Sequence, residues 1–215
     1  MLNTLLVQEN NMSIASLLKF AVPSAEGVSQ GMLMPKLGYR FRVEFIGFGV
    51  DQGDSLELTK QVVSFARPTV TFGDIDIHVY NSIVKLAGKP TWGDISVVLR
   101  DDAVGNVSRL VGQQIQKQFD FMEQSSASSG LDYKFTTRCE MLDGANGTEI
   151  RPLETWELYG CYIQVANYNE VKYDANDPVT ISLTLKFDNA IQLSSVSPGV
   201  GQYIGPRQNG VIATG

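Results

Sequence analysis

The side chains best suited to chemistry are few and far apart. His78 is the only histidine in the 215 residues, and it stands in the alternating run Asp74-Ile75-Asp76-Ile77-His78-Val79 with no cysteine or second histidine beside it. A metal centre needs several convergent ligands and a general base needs a partner that orients it, so His78 reads as a polar strand position. A Ser–His–Asp arrangement would have to pass through His78, and no Gly-x-Ser-x-Gly elbow accompanies it. Asp74 and Asp76 stand two apart, which puts both carboxylates on one strand face. That spacing suits a Mg²⁺ site or a hydrolytic pair, and equally a solvated acidic surface. Asp101 and Asp102 precede a helical pattern and are expected to act as its N-cap. The Gly47-Phe48-Gly49 loop resembles a phosphate cradle only in outline, because no Lys-Ser/Thr follows and a strand is expected next. Cys139 and Cys161 lie in apolar runs and read as buried, reduced thiols. These residues point away from an enzyme and call for no metal or cofactor.

The balance of charges agrees. Seventeen basic and 23 acidic residues leave a net charge of -6, whereas a protein that grips nucleic acid through its phosphates needs clustered Lys and Arg. An apolar fraction of 43% supports one well-buried core. No run approaches the roughly 20 apolar residues of a membrane span, and the N-terminus lacks a signal-peptide pattern, so cytoplasmic synthesis is expected.

The elements that must position these residues are mostly strands. Residues 1–36 read as an N-terminal arm punctuated by Pro23 and Pro35. The body, 37–192, opens with Tyr39, Phe41, Val43 and Phe45 alternating with Arg40, Arg42 and Glu44. Leu56 to Phe65 reads as a second strand. Ile75, Ile77 and Val79 alternate with the acidic positions, Ile83 to Ala87 follows a turn at Asn81-Ser82, and Ile95, Val97 and Leu99 follow a turn at Gly88 to Gly93. Val104, Val107, Val111, Ile115, Gln118 and Met122 then track one face of a single long amphipathic helix over about 102–124, flanked by Leu110 and Phe119. Ser125 to Gly130 reads as a flexible link. Phe135 to Met141 leads into a hairpin signal at Asp143 to Gly147. Trp156–Tyr159 and Cys161–Ala166 read as separate strands, and Val179 to Phe187 as the last one. Residues 193–215 form a Gly/Ser/Pro-rich C-terminal arm. One helix among many strands predicts a mainly β sandwich or barrel with the helix covering a sheet face.

The order of these elements resembles the tail tube proteins of contractile phages, which are related to type VI secretion and tailocin tube proteins. The resemblance rests on three stretches. The first is Val84-Lys85-Leu86-Ala87-Gly88-Lys89-Pro90-Thr91-Trp92-Gly93-Asp94-Ile95-Ser96-Val97-Val98-Leu99-Arg100-Asp101-Asp102. The second is the opening strand Tyr39–Phe45. The third is the closing series Trp156–Tyr162, Val171–Asp174 and Val179–Asp188. It covers roughly residues 37–192. The arms are longer than such proteins usually carry, and Cys161-Tyr162-Ile163 stands where a proline is usual.

The resemblance implies a subunit that assembles six to a ring, with inner sheets joined across subunits into a continuous β-barrel and rings stacked inside a sheath. It also implies partners: copies of itself, the tail sheath protein, and baseplate and tape measure proteins. Phage DNA would pass through the lumen without specific binding, in a virion tail. Asp74 and Asp76 become candidates to face the lumen. Phe72, His78, Tyr80, Phe20 and Tyr203 become candidates for contacts between subunits or rings. A tube-initiating baseplate protein of the same fold and a monomeric β-sandwich binding module are the alternatives.

Overall fold

The structure is a computed structural model, and it describes residues 21–22, 30–31, 35–50, 55–144, 150–174, 176–194 and 199–202. The chain divides into two compact units. In the first, residues 1–38, β1 (Ala21–Val22) pairs antiparallel with β2 (Gln30–Gly31).

The second unit, residues 39–215, opens with β3 (Phe41–Ile46), α1 (Ser55–Lys60) and β4 (Val62–Phe65). A long ribbon follows, built from β5 (Val70–Val79) and β6 (Ser82–Trp92). Next come β7 (Ile95–Arg100), α2 (Asn106–Gln118), the short pair β8 (Phe119–Asp120) and β9 (Ser125–Ser126), and α3 (Gly130–Tyr133). β10 (Phe135–Leu142), β11 (Pro152–Asn167), β12 (Thr180–Lys186) and β13 (Asn189–Ser194) complete the unit.

The main sheet runs β3-β10-β11-β12-β7-β4, with β13 also paired to β11, and among the described residues it does not close on itself. β11 joins its two halves. Glu154 to Tyr159 pair with β13, and Tyr162 to Asn167 pair with β12. Between the two stretches lies Gly160 at φ +69, a left-handed conformation open to glycine at little cost. The inward residues of both halves meet in one core. Val43, Phe45, Cys139 and Leu158 come from one half, and Ile95, Val97, Leu99, Ile181, Leu183 and Leu185 from the other. Val107, Leu110 and Val111 of α2 join them. Each fully buried large side chain contributes roughly 1.5–3 kcal/mol, which makes this alternation the main reason the strands form.

The mainly β class and the alternating strands match expectation, while several local readings need correction. The expected strand from Leu56 begins as α1, with Leu58 fully buried, because a short apolar run does not by itself separate helix from strand. The loop before it is therefore followed by a helix, though one of only 6 residues. The expected turn at Gly88 to Gly93 is mostly strand, since β6 continues through Pro90 to Trp92, in a ribbon where an outer edge needs no N–H donor. β11 is one strand rather than two, and β13 lies beyond the expected last strand. Part of the C-terminal arm is also tied down: the N–H of Gln192 donates to the carbonyl of Val200 at 2.8 Å.

The single long helix of about 102–124 is instead α2, 13 residues from Asn106 to Gln118, beside the shorter α1 and α3. It starts after Gly105, whose φ of 76 breaks the helical path. It ends because Phe119 turns extended and pairs with Ser126. Val104 and Met122 fall outside the helix and are exposed. The expected flexible link from Ser125 to Gly130 instead holds β9 and leads directly into α3. There Ser129 and Asp132 form a reciprocal capping box, each side chain accepting from the other end's backbone N–H.

Candidate assembly surface

The ribbon departs most from the rule that strands bury a face. Every residue from Thr71 to Leu86 is exposed. The register places Ile75 opposite Leu86, Ile77 opposite Val84 and Val79 opposite Ser82. Directly opposed residues project from the same side of a pair, so Ile75, Ile77, Val79, Val84 and Leu86 form one apolar face. Ile77 is 44% exposed and Val79 51%. The other face carries Asp74 opposite Ala87, Asp76 opposite Lys85 and His78 opposite Ile83. Lys85 Nζ lies 3.4 Å from Asp76 Oδ1. Tyr80 sits at the tip with φ +46, fully exposed, where Ser82 Oγ donates to the Val79 carbonyl at 3.1 Å. A bulge between Phe72 and Asp74 brings Gly73 and Gly88 together, and a Cβ on Gly88 would stand 2.9 Å from the Gly73 carbonyl oxygen. Glycine therefore permits the close approach there.

An isolated two-stranded ribbon is at best marginally stable in water, and an apolar patch of this kind marks a contact site. Both outer edges of the ribbon also lack a strand partner among the described residues.

The expected site residues thus separate. Asp74, Asp76 and His78 share the polar face, Tyr80 is at the tip, and Phe72 lies across from Pro90 on the body side of the bulge. Phe20 and Tyr203 lie outside the described residues. Val84 and Leu86 were not assigned to this apolar face from the sequence, although their spacing of two around Lys85 matches that of Ile75 and Ile77 around Asp76.

Asp101 and Asp102 serve the helix from further away than expected. The N-cap position belongs to Gly105, which has no side chain to offer. Instead Asp102 Oδ1 accepts from the N–H of Asn106 at 2.7 Å and of Val107 at 3.4 Å, and its Oδ2 accepts from Asn106 Nδ2 at 2.9 Å. Asp101 accepts from Ser108 N–H at 3.3 Å and Ser108 Oγ at 2.8 Å. Desolvation pushes the Asp102 carboxyl up, but the donors from Asn106 and Val107 outweigh it and hold the group below the usual aspartate value. Both carboxylates are thus engaged in starting α2.

The outer face of β3, β10 and β11 carries a cross-strand charge ladder. Arg42 donates to Glu140 through Nε at 2.9 Å and Nη2 at 2.5 Å, and Arg138 Nη2 donates to Glu157 at 2.6 Å. Tyr159 Oη donates to Glu157, and this bond first, with Arg138 behind it, holds Glu157 below the usual glutamate value despite desolvation. Burial raises the Cys139 thiol to about 12 and the Cys161 thiol to about 11, so both are unreactive side chains of the core. Among the described residues no three His, Cys, Asp or Glu side chains lie together as a metal set, and no helix is long and apolar enough to cross a membrane.

No family model matches the chain, and no curated protein matches it in sequence. Solved structures do resemble it. The sheath/tube terminator of an extracellular contractile injection system in its extended state has a TM-score of 0.57 at 16% identity, covering 76% of this chain and 100% of that one. The tube-terminating cap of the anti-feeding prophage has a TM-score of 0.54 at 15% identity, covering 80% and 99%. A chain of an extended sheath–tube complex has a TM-score of 0.51 at 16% identity, covering 74% and 92%. The chain therefore has the fold found in tube and tube-terminating components of contractile injection systems.

Proposed function

We propose that this chain is a structural subunit that joins copies of itself into a hexameric ring, the rings stacking as the inner tube of a contractile machine. The observation that carries the reading is the ribbon, whose apolar face of Ile75, Ile77, Val79, Val84 and Leu86 is exposed. Seating that face on a neighbouring copy would remove it from water and supply the packing a lone ribbon lacks. Phe72, Tyr80 and the arms at either end of the chain would add contacts between subunits or rings.

In this reading Asp74, Asp76 and Lys85 stay hydrated on the opposite face, towards the lumen or an adjacent loop, and His78, expected among the contact residues, joins them because it shares their face. The net charge of -6 suits a wall past which a polyanion slides without sticking. The cargo would be phage DNA or ejected protein, and the outer partners the sheath, baseplate and tape measure proteins of a virion tail.

A second reading, a ring that ends a tube, draws support from the two terminators, which align over 99% and 100% of their own length. Electron microscopy of the purified chain tests both. Long filaments of stacked rings support the tube subunit, and single or paired rings that do not extend support the terminator. A monodisperse species of the chain's own 23.6 kDa at high concentration would refute self-assembly and favour a binding module.

A further inference from the structure

The ribbon leaves the body through residues 66–69 and returns through 93–94. Arg67 stands in the outgoing segment, and its Nη2 donates to Oε1 of Glu154 at 2.5 Å. The Glu154 side chain is only 3% exposed. The same oxygen accepts from Trp156 Nε1 at 2.7 Å and from Gln192 Nε2 at 2.9 Å. A carboxylate withdrawn from water is costly unless donors converge on it, and a charged donor offsets that cost best.

The donors differ in origin. Trp156 and Gln192 belong to β11 and β13, the same half of the sheet as Glu154, whereas Arg67 follows β4, the edge strand of the other half. Other root contacts lie on that other side. Ala66 N–H donates to the Ser96 carbonyl at 2.9 Å, Gly93 N–H donates to the Thr69 carbonyl at 2.8 Å, and the Trp92 and Phe187 rings stand 5.7 Å apart. These set the width of the root and its tie to β7 and β12. The bond between Arg67 and Glu154 crosses to the opposite half, as a strut from the base of the ribbon.

We infer that Arg67 and Glu154 form a latch that fixes the direction in which the ribbon leaves the body, making both of them positioning residues for self-assembly. The assembly role rests on the tube reading above, while the direction of the ribbon does not.

The test uses the full chain, kept dilute and unassembled, with nitroxide labels on Asn81→Cys at the ribbon tip and Gln116→Cys on α2. Cys139 and Cys161 stay unlabelled because they are buried with raised thiol values. The distance distribution is then measured in the parent, Arg67→Met and Glu154→Gln. Glu154→Gln is the gentler change, since it keeps an acceptor for Trp156 and Gln192 and removes the charge that holds Arg67.

The expected result is a broadened or shifted distance in both variants, with cooperative unfolding retained and tube growth slowed or lost on concentration. An unchanged distribution in Glu154→Gln overturns the latch. A broadened distribution with assembly at the parental rate overturns its role in positioning. A parent chain that never assembles overturns the tube reading itself, and the distance readout still decides the latch.

Discussion

The side chain of Gln118 pairs with both backbone groups of Ile163: its Nε2 donates to the carbonyl and its Oε1 accepts from the N–H, each at 2.9 Å. β10 pairs with β11 only as far as Cys161, so the last residue of α2 continues the ladder where a strand has stopped. Ile163 is buried, and unpaired backbone groups there would be costly. Gln118→Leu keeps the bulk but removes both partners. It is expected to cost about 1–3 kcal/mol for the orphaned groups. Urea denaturation measures this, and a change within error would mean that water replaces the amide without loss.

Gly160 supports the long strand in a similar way. It combines φ +69 with a side-chain direction already occupied by the Asp188 carboxylate, which is bonded to Lys134 Nζ at 2.6 Å. Gly160→Ala must strain the backbone and displace that carboxylate. The left-handed conformation alone costs about 1–2 kcal/mol for a residue with a Cβ. Thermal unfolding should show this loss. Adding Asp188→Ala should return part of it, because the crowding is then relieved.

For the ribbon, the prediction separates stability from association. Ile77 is exposed, so Ile77→Lys should change the stability of the dilute chain by no more than about 0.5 kcal/mol. If the apolar face docks on another copy, the same change buries a charge there and should abolish rings or filaments at every concentration tested. His78→Ala, on the opposite face, serves as the control and should assemble. Sedimentation velocity compares the two, and equal assembly by both would remove the apolar face from the contact.

Legibility in the sequence followed burial. β3, β7, β10 and β12 each bury one face, so Val43/Phe45, Ile95/Val97/Leu99 and Ile181/Leu183/Leu185 announce themselves by alternation. The ribbon showed the same alternation, but nothing in the pattern says that its apolar face stays outside the core. That distinction is tertiary. α1 differs from the expected strand because a short apolar run fits a helical turn as well as a strand, and the two expected strands of β11 join because Gly160 looks like a turn where it permits a bend. Gln118 was correctly placed among the inward positions of α2, although its partner 45 residues away could not be read from the sequence. Arg67 and Glu154 gave no signal, since a charged residue in a loop and another near a strand start look like ordinary surface.

Acid should destabilise the body through carboxylates that hydrogen bonds hold below their ordinary values: Asp102, Glu157, and Asp120, whose Oδ1 accepts from the N–H groups of Met122 and Glu123. Asp102 and Asp120 lie below the ordinary aspartate value of 3.8 and Glu157 below the glutamate value of 4.5. A carboxyl whose folded value is depressed stabilises the native state above its unfolded value, and that contribution is lost as pH falls through the folded value. The decline should therefore begin near pH 4.5 with Glu157, and continue below 3.8 as Asp102 and Asp120 take up protons. Asp102→Asn keeps an acceptor for the Asn106 and Val107 N–H groups and cannot titrate. Its stability should be lower than the parent's at neutral pH and should converge on it in acid. Denaturation midpoints between about pH 7 and 2.5 measure the convergence. Curves that stay parallel across that range would show that Asp102 carries the same proton in the folded and unfolded chain, and would remove it as a cause of acid sensitivity.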